Sequence, residues 1–294
     1  METSISEIQT AQDRAGLRSL SRPVSSWKVM AATTLKGLQI STRYLPNLVG
    51  SLVEMAVRAA FFLLMSNSIS MGGKEAFGID IRGQNLFIFF LGSLVLFIFT
   101  RSTLWGPINA VTNDLYNGTL EYLYSNPCSR YAYYVGTVLS EVAISQVVFI
   151  PLFALLAVYS GAGWGNLALM LTASIVVLVA LTAMGIMIAL LALVWRQVGS
   201  VASVLGILFE MLAGAYLPVS VFPLPLQWLA YLLPYTWGYD LIRYYSFEGQ
   251  WKTILPVEWE WAVIIVFAVV FTLVSRYLLG KAEMLAKRSG LSVI

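Results

Sequence analysis

The 294-residue sequence contains no histidine and a single cysteine, Cys128. The absence of histidine excludes zinc sites built on imidazole and every catalytic triad in which histidine is the base. With one cysteine, an internal disulfide and the C-x-x-C pairs of zinc and redox motifs are excluded as well. We therefore expect no catalytic residue and no metal site in this chain.

Charged residues are also scarce, at 11% of the sequence, whereas soluble domains hold about 25%. Hydrophobic residues make up 59%, and the mean hydropathy is +0.77. So much apolar surface does not fit into the core of a soluble domain, and the composition indicates an integral membrane protein. The phosphate-binding pattern G-x-x-x-x-G-K-[ST] is missing too. If ATP drives this protein, another chain must hydrolyse it.

Six apolar runs reach the length of about 20 residues that a membrane-spanning helix needs. They cover residues 48–67, 86–108, 133–159, 167–195, 198–217 and 259–279. Before them, residues 25–44 alternate apolar with basic side chains, which is typical of a helix at the membrane surface, although a helix packed on a partner would look the same. The sequence predicts an all-α polytopic membrane protein, with a cytoplasmic tail and surface helix over 1–47 and a transmembrane domain over 48–294.

Lysine and arginine are distributed unevenly between the two sides that these spans define. Most lie in the N-terminal segment, in the C-terminal tail, and in the links after the second and fourth spans. The opposite side holds only Lys74, Arg82, Arg243 and Lys252. Because basic residues concentrate in cytoplasmic loops, we expect a multi-pass protein of the cell membrane with both termini in the cytoplasm.

Residues 113–130, between the second and third runs, are polar and include Asn113, Asp114, Glu121 and Arg130. The apolar residues among them fall close to one face of a short helix, which Pro127 ends. We predict a short amphipathic helix on the cytoplasmic membrane surface, placed to bind a partner outside the membrane. Plain solvation of a polar helix is the alternative.

An unbroken helix through residues 218–250 is excluded by four prolines, Pro218, Pro223, Pro225 and Pro234. Non-helical backbone at membrane depth is tolerated only where protein or water covers it. We therefore predict a pair of short helices that dip into the membrane from outside. Asp240 and Arg243 are three residues apart in this segment, and we expect them to pair in a structural role.

Three more charged residues, Glu54, Arg58 and Glu210, fall inside predicted spans. Glu54 and Arg58 are four residues apart, so they share a helix face and can pair. A charge at the centre of a membrane costs about 2.5–3.5 kcal/mol on insertion scales, so each needs a partner or a cavity. Together with Asp240 and Arg243, these residues mark either the lining of a transport path or fixed contacts between helices.

Two stretches resemble a known family. Residues 118–130, GTLEYLYSNPCSR, fit the signature G-x-x-E-x-L-x-x-x-P-x-S-R at Gly118, Glu121, Leu123, Pro127, Ser129 and Arg130. Residues 213–223, AGAYLPVSVFP, followed by Leu232-Leu233-Pro234, Asp240 and Arg243, are similar to the segment after the family's fifth transmembrane helix. From about Trp27 onwards, the chain resembles the permease subunits of ABC-2 type exporters.

The resemblance implies that two copies of this chain join two separate ATPase subunits. Those subunits would bind ATP and Mg²⁺, so we expect no cofactor on this chain. Residues 113–130 would transmit closure of the ATPase pair to the spans and open a path between the two copies. The substrates of the family are drugs, lipids and lipid-linked glycans. The expected partners are thus the ATPase, a second copy and membrane lipids, with no nucleic acid.

Two other functions stay open. A secondary transporter driven by an ion gradient would show inverted repeats, with broken helices at matched positions in both halves. Here the broken segment occurs once. An intramembrane lipid-modifying enzyme would need a convergent cluster of acids, bases or metal ligands, whereas Glu54, Glu210 and Asp240 are far apart in the sequence.

Overall fold

The computed structural model describes residues 25–118, 128–192 and 198–289, which are almost entirely helical and confirm the all-α prediction. The helices are α1 Ser26–Arg43, α2 Leu45–Ser68, α3 Lys74–Phe77, α4 Gln84–Tyr116, α5 Arg130–Ser160, α6 Trp164–Ala192, α7 Val198–Leu212, α8 Leu224–Tyr231, α9 Pro234–Ser246 and α10 Val257–Ser289. A 3-10 turn, Val219–Val221, precedes α8. Two short strands, β1 Ser70–Gly72 and β2 Ile81–Arg82, pair antiparallel between α2 and α4.

Five helices in the described part of the chain are long and apolar enough to cross a membrane, namely α2, α4, α5, α6 and α10. They contain the first, second, third and sixth predicted spans and most of the fourth. The fifth prediction, 198–217, corresponds to α7, which has 15 residues. That length is below the roughly 20 residues of a typical span.

α7 ends earlier than predicted because of Gly214. The backbone there has a φ angle of +90°, a conformation that glycine adopts readily and other residues avoid. A helix cannot continue through this angle, so the chain turns after Leu212 instead of running on to residue 217. The turn brings the carbonyl oxygens of Gly214 and Ala215 toward α9.

α4 is the centre of the bundle. In its most apolar stretch 94% of the residues are buried, against 17% for α2 and for α10. It packs between α5 and α6, while α2 and α9 contact it from other sides and α10 packs on α6. A helix surrounded in this way has no polar face, which explains the nearly continuous apolar sequence of residues 86–99.

α1 lies along the first half of α5, and the helix predicted over 25–44 is confirmed. The close approach requires Gly136, where a Cβ atom would lie 2.8 Å from the Met30 carbonyl oxygen. The Thr34 hydroxyl also donates to the Gly136 carbonyl oxygen at 3.1 Å. On the other side of α1, Trp27 and Leu35 stay exposed. Exposed apolar side chains of this kind suit a helix that lies in a membrane surface.

The two ends of the bundle are different. At one end, which we call the hairpin end, the strands β1 and β2 lie where α2 finishes and α4 begins. α8 and α9 are two short helices within 218–250, as predicted, but their entry into the membrane from outside stays a prediction. The strand pair was not predicted. At the opposite end, the α1 end, α1 leads into α2 and lies against the start of α5.

Candidate functional site

An open cleft of about 1120 Å³ runs between α2, α4, α5 and α7. Its wall begins at Ile40 and Tyr44, where α1 meets α2, and reaches Glu210 near the last turn of α7. Polar side chains occur along its whole length, namely Ser41, Asn47, Ser51, Glu54, Arg58, Thr100, Ser102, Asn109, Asn113, Glu141, Ser145 and Glu210. Pockets for drug-sized ligands hold about 300–1,000 Å³, so this cleft has room for a molecule of that size.

The predicted pair of Glu54 and Arg58 forms on the α2 wall of the cleft. Nη2 of Arg58 donates to Oε1 of Glu54 at 3.3 Å. The Arg58 guanidinium carbon also lies 4.6 Å from the centre of the Phe97 ring. Both charged side chains stay about one-third exposed, at 34% for Arg58 and 38% for Glu54. The pair therefore faces the cleft and is not sealed between helices.

Glu210 contributes to the same cleft from α7 and is 8% exposed. Its carboxylate accepts a hydrogen bond from the Tyr216 hydroxyl at 2.9 Å. Arg58 is close enough to act electrostatically on both groups. The structure thus brings Glu54, Arg58 and Glu210 onto one cavity, although they were identified separately in the sequence. The hydrogen-bond role of Tyr216 was not predicted.

A second polar patch lies where α4 contacts α5. The hydroxyls of Ser102 and Ser145 are hydrogen-bonded to each other, and Ser145 also donates to the Glu141 carbonyl oxygen at 2.7 Å. The Glu141 side chain packs over Gly106. Sequence reasoning missed Glu141, although a single acid within the apolar run 133–159 was an available signal.

Only part of the predicted surface helix can be placed. Glu121, Leu123 and Pro127 lie outside the described residues, so the coupling role assigned to them stays a prediction. Just before this gap, Asp114 Oδ2 accepts a hydrogen bond from the Tyr133 hydroxyl at 2.5 Å. This bond ties the end of α4 to the start of α5.

Other residues of the family signature have local structural roles. Gly118 has a φ of +65°, a left-handed conformation that favours glycine. Ser129 caps the start of α5, where its hydroxyl oxygen accepts a hydrogen bond from the Ala132 amide at 3.3 Å. Arg130, the first residue of α5, is 8% exposed, and Asn113 lines the cleft.

Arg243 lies outside the cleft, at the hairpin end. Its Nη2 donates to Ser93 Oγ at 2.9 Å and to the Gly214 carbonyl oxygen at 2.6 Å. The guanidinium also lies 3.6 Å from the centre of the Phe89 ring. Arg243 therefore fastens α9 to α4 and to the turn after α7.

The prediction that Asp240 pairs with Arg243 is wrong. Asp240 accepts hydrogen bonds from the Trp251 indole at 2.6 Å and from the Ile254 amide at 2.8 Å. Their three-residue spacing allows an ion pair, but each side chain is held by hydrogen bonds to a different segment of the chain.

A third buried ionisable side chain of this region, Glu260, was not predicted to be important. It is 0% exposed, and its Oε1 accepts a hydrogen bond from the Leu255 amide at 3.1 Å. Asp240 and Glu260 thus hold the segment 251–255 against α9 and α10. We call α9, residues 213–216 and residues 247–256 together the cap.

The cleft presents carboxylate, guanidinium, amide and hydroxyl groups along its walls. Within residues 25–118, 128–192 and 198–289, no three His, Cys, Asp or Glu side chains are grouped in a way that holds a metal ion. The polar groups are spread along a cleft instead of converging on one point.

Comparison with known proteins agrees with this arrangement. Residues 9–247, most of the chain, match the model of the ABC-2 type transporter family. The chain belongs to the ABC-2 type transporter family. This confirms the resemblance carried by the two motifs, and it makes the chain a multi-pass transport subunit of the membrane. ABC-2 subunits normally work with a separate ATPase subunit. A search of the curated proteins found no match to this ABC-2 subunit.

Proposed function

We propose that this ABC-2 subunit is the permease of an ATP-driven exporter, and that the cleft carries an amphipathic or lipid-like substrate out of the cytoplasm or the inner leaflet. The observation that carries this proposal is the polar lining of the cleft within helices that are otherwise apolar. A charge at membrane depth costs about 2.5–3.5 kcal/mol. Helices that served only as anchors would gain nothing from Glu54, Arg58 and Glu210, and a large cavity with a few polar groups is a typical ligand site.

The proposal includes six spans, with α7 as a short fifth one and the α1 end in the cytoplasm. Residues 1–47 then form a cytoplasmic tail and surface helix, and residues 48–294 form the transmembrane domain. The distribution of lysine and arginine supports this topology. In a Cys128→Ser background, Gly163→Cys should react with an impermeant maleimide only from outside, and Ser289→Cys only from the cytoplasm. Reaction of both from the same side would contradict the topology.

A second copy of the chain is proposed to close the cleft. α2 exposes Val53, Val57 and Phe61, and α7 exposes Ile207 and Met211, each by 55–62% of its surface. Both helices wall the cleft, so a copy that packs against them would turn the cleft into a path between two subunits. The purified protein should be at least a dimer. A monomer that transports with its ATPase would rule this out.

ATP and Mg²⁺ are proposed to bind to the separate ATPase subunit, which docks on residues 113–130. The bond between Asp114 and Tyr133 supports this assignment. It joins the two flanking helices, α4 and α5, and both of them wall the cleft. A displacement of the segment between them would therefore be transmitted to the walls of the cleft by either helix.

The test is to co-purify the ATPase with two variants. Glu121→Arg reverses a charge in the proposed interface, so the ATPase should be lost and ATP-driven transport should fall with it. Glu54→Ala changes the cleft, so the ATPase should stay bound. The proposal fails if Glu121→Arg keeps both the ATPase and full transport. It also fails if the chain transports in vesicles that contain no ATPase.

A further inference from the structure

Aromatic side chains close the cleft toward the hairpin end. On α2 the described lining ends at Arg58, and on α4 it begins at Phe97. Phe62 follows Arg58 by four residues and Phe90 precedes Phe97 by seven, so each continues the cleft-lining face of its helix. Both side chains are buried, at 6% exposure for Phe62 and 2% for Phe90. A molecule that moves along the cleft toward the hairpin end therefore meets these two rings.

A third ring belongs to the same cluster. The rings of Phe62 and Phe90 are stacked, with their centres 4.3 Å apart. The ring of Tyr216, in the turn after α7, has its centre 6.2 Å from that of Phe62. Aromatic pairs at about these distances attract each other. We call Phe62, Phe90 and Tyr216 the aromatic plug, which joins α2, α4 and the cap.

A hydrogen bond connects the plug to the cleft wall. The Tyr216 hydroxyl donates to the Glu210 carboxylate at 2.9 Å, and Glu210 lines the cleft. Arg58, on the α2 wall, lies close enough to act electrostatically on both groups. Tyr216 therefore contacts the plug with its ring and the cleft wall with its hydroxyl. A molecule bound at Glu210 would compete with Tyr216 for the carboxylate.

The helices that carry the plug differ in how firmly they are packed. In the apolar stretch of α2 17% of the residues are buried, against 94% for α4. A helix with few buried contacts moves more easily than one in the core. A shift of α2 would withdraw Phe62 from Phe90 and from Tyr216, while Arg243 keeps α9 and the turn after α7 fastened to α4. The plug can thus open without loss of the cap.

We propose that the aromatic plug is a gate at the hairpin end of the cleft, and that the hydrogen bond from Tyr216 to Glu210 holds this gate closed. The inference rests on the proposed function, since the gate belongs to the same transport path. A substrate that binds at Glu210 releases the Tyr216 hydroxyl, and a shift of α2 then opens the way past Phe62. Tyr216 is a positioning residue in this mechanism, because it acts on the gate and not on the substrate.

The experiment measures whether the plug seals the cleft from the hairpin side. In a Cys128→Ser background, Ser145→Cys places a thiol on the cleft wall. Gly163→Cys places one between α5 and α6, at the hairpin end, where Gln84 of α4 donates to the Tyr159 carbonyl oxygen. An impermeant maleimide is added to vesicles of the full complex with its ATPase, oriented so that Gly163→Cys reacts. Without ATP, we expect Ser145→Cys to stay nearly unreactive.

Two substitutions should break the seal. Tyr216→Phe keeps the ring but removes the hydroxyl, so Ser145→Cys should react about three- to tenfold faster, as the loss of one hydrogen bond allows. Phe62→Ala removes a ring from the plug and should increase the rate at least as much. The matched controls are Tyr159→Phe and Phe87→Ala, because those two rings contact each other at the same end, with centres 4.9 Å apart, and are not in the described cleft lining. They should leave the rate unchanged.

With the plug unaltered, reaction of Ser145→Cys as fast as that of Gly163→Cys would overturn the inference. Unchanged protection in both Tyr216→Phe and Phe62→Ala would also overturn it, as would equal acceleration in the two controls. If Phe62→Ala does not fold, Tyr216→Phe, which removes a single oxygen atom, decides the question. ATP-driven transport, measured separately, distinguishes the failures. If it persists with an unsealed cleft, only the gate is wrong, and if it is absent, the proposed function is wrong.

Discussion

The cap and the cleft both hold charged side chains, but they hold them differently. In the cap, Arg243 is 3% exposed and Asp240 is 5% exposed, and each has at least two hydrogen bonds to other segments. In the cleft, Glu210 is 8% exposed, but Glu54 and Arg58, which contact each other at 3.3 Å, stay about one-third exposed. Buried side chains that are held by several hydrogen bonds are confined to one arrangement, although Nε of Arg243 has no hydrogen-bond partner among the described residues. A charge on an open wall can still meet a ligand. The partners of an intramembrane charge, more than its position in the sequence, decide its role.

The difference also separates a fixed region from one that can move. Through Arg243 and Asp240, the cap joins α9 to α4, to the turn after α7 and to residues 251–254. The cleft is walled by α2, in whose apolar stretch only 17% of the residues are buried, and by the short α7. We expect transport to move α2 and α7 relative to α4 while the cap stays closed.

The largest loss of stability is expected from Arg243→Ala. The substitution leaves Ser93 and the Gly214 carbonyl oxygen without their charged donor, and hydrogen bonds to charged groups contribute about 1.5–3 kcal/mol each. The free energy of unfolding should fall by about 3 kcal/mol, with lower yield and melting temperature. Arg58→Ala is the matched control on the cleft wall, and its melting temperature in detergent should stay much closer to that of the unaltered protein. Equal stability of the two variants would contradict the claim that charged residues stabilise the cap more than the cleft.

A smaller loss is expected from Trp251→Phe. Phenylalanine keeps an aromatic ring but removes the indole donor to Asp240. Leaving one buried acceptor without this donor should cost about 1–3 kcal/mol. Trp228→Phe is the control, because Trp228 lies in α8 and is 70% exposed. Thermal unfolding followed by size-exclusion chromatography checks both. A drop in melting temperature for Trp228→Phe as large as that for Trp251→Phe would count against the cap network.

The smallest effect on stability is expected from Glu54→Gln. Exposed ion pairs contribute about 0–1 kcal/mol, and this pair is one-third exposed. We expect the melting temperature to change little, while ATP-driven transport changes several-fold because the negative charge beside Arg58 on the cleft wall is lost. Transport is measured in vesicles that contain the ATPase complex. A large loss of stability with unchanged transport would assign the pair to structure.

Local features of the fold were predictable, and long-range ones were not. The pair of Glu54 and Arg58 follows from a spacing of four residues on one helix. The interruption of the helix at the prolines of 218–250 was also predictable, because proline cannot continue a helix. α7 ends before the predicted residue 217, because Gly214 has a positive φ where the chain turns toward α9. That contact between distant parts of the sequence leaves no local pattern.

The partners of the charged residues in the cap could not be predicted from the sequence either. Arg243 and Ser93 are 150 residues apart, and no spacing rule reaches that far. An i, i+3 spacing suggested instead that Arg243 pairs with Asp240. Only the packing of α9 against α4 shows why the two side chains find separate partners. In the cleft, polar residues from four helices likewise meet only after the bundle has formed.

The most direct test of the division between cap and cleft is the reactivity of two introduced cysteines. In a Cys128→Ser background, Ser145→Cys places a thiol on the cleft wall. Ser246→Cys places one in the cap, where Ser246 is 2% exposed. With the complex in nanodiscs, N-ethylmaleimide should alkylate Ser145→Cys quickly, and ATP should change that rate, whereas Ser246→Cys should stay protected with or without ATP. Alkylation of Ser246→Cys as fast as that of Ser145→Cys, or an ATP effect confined to Ser246→Cys, would contradict the account.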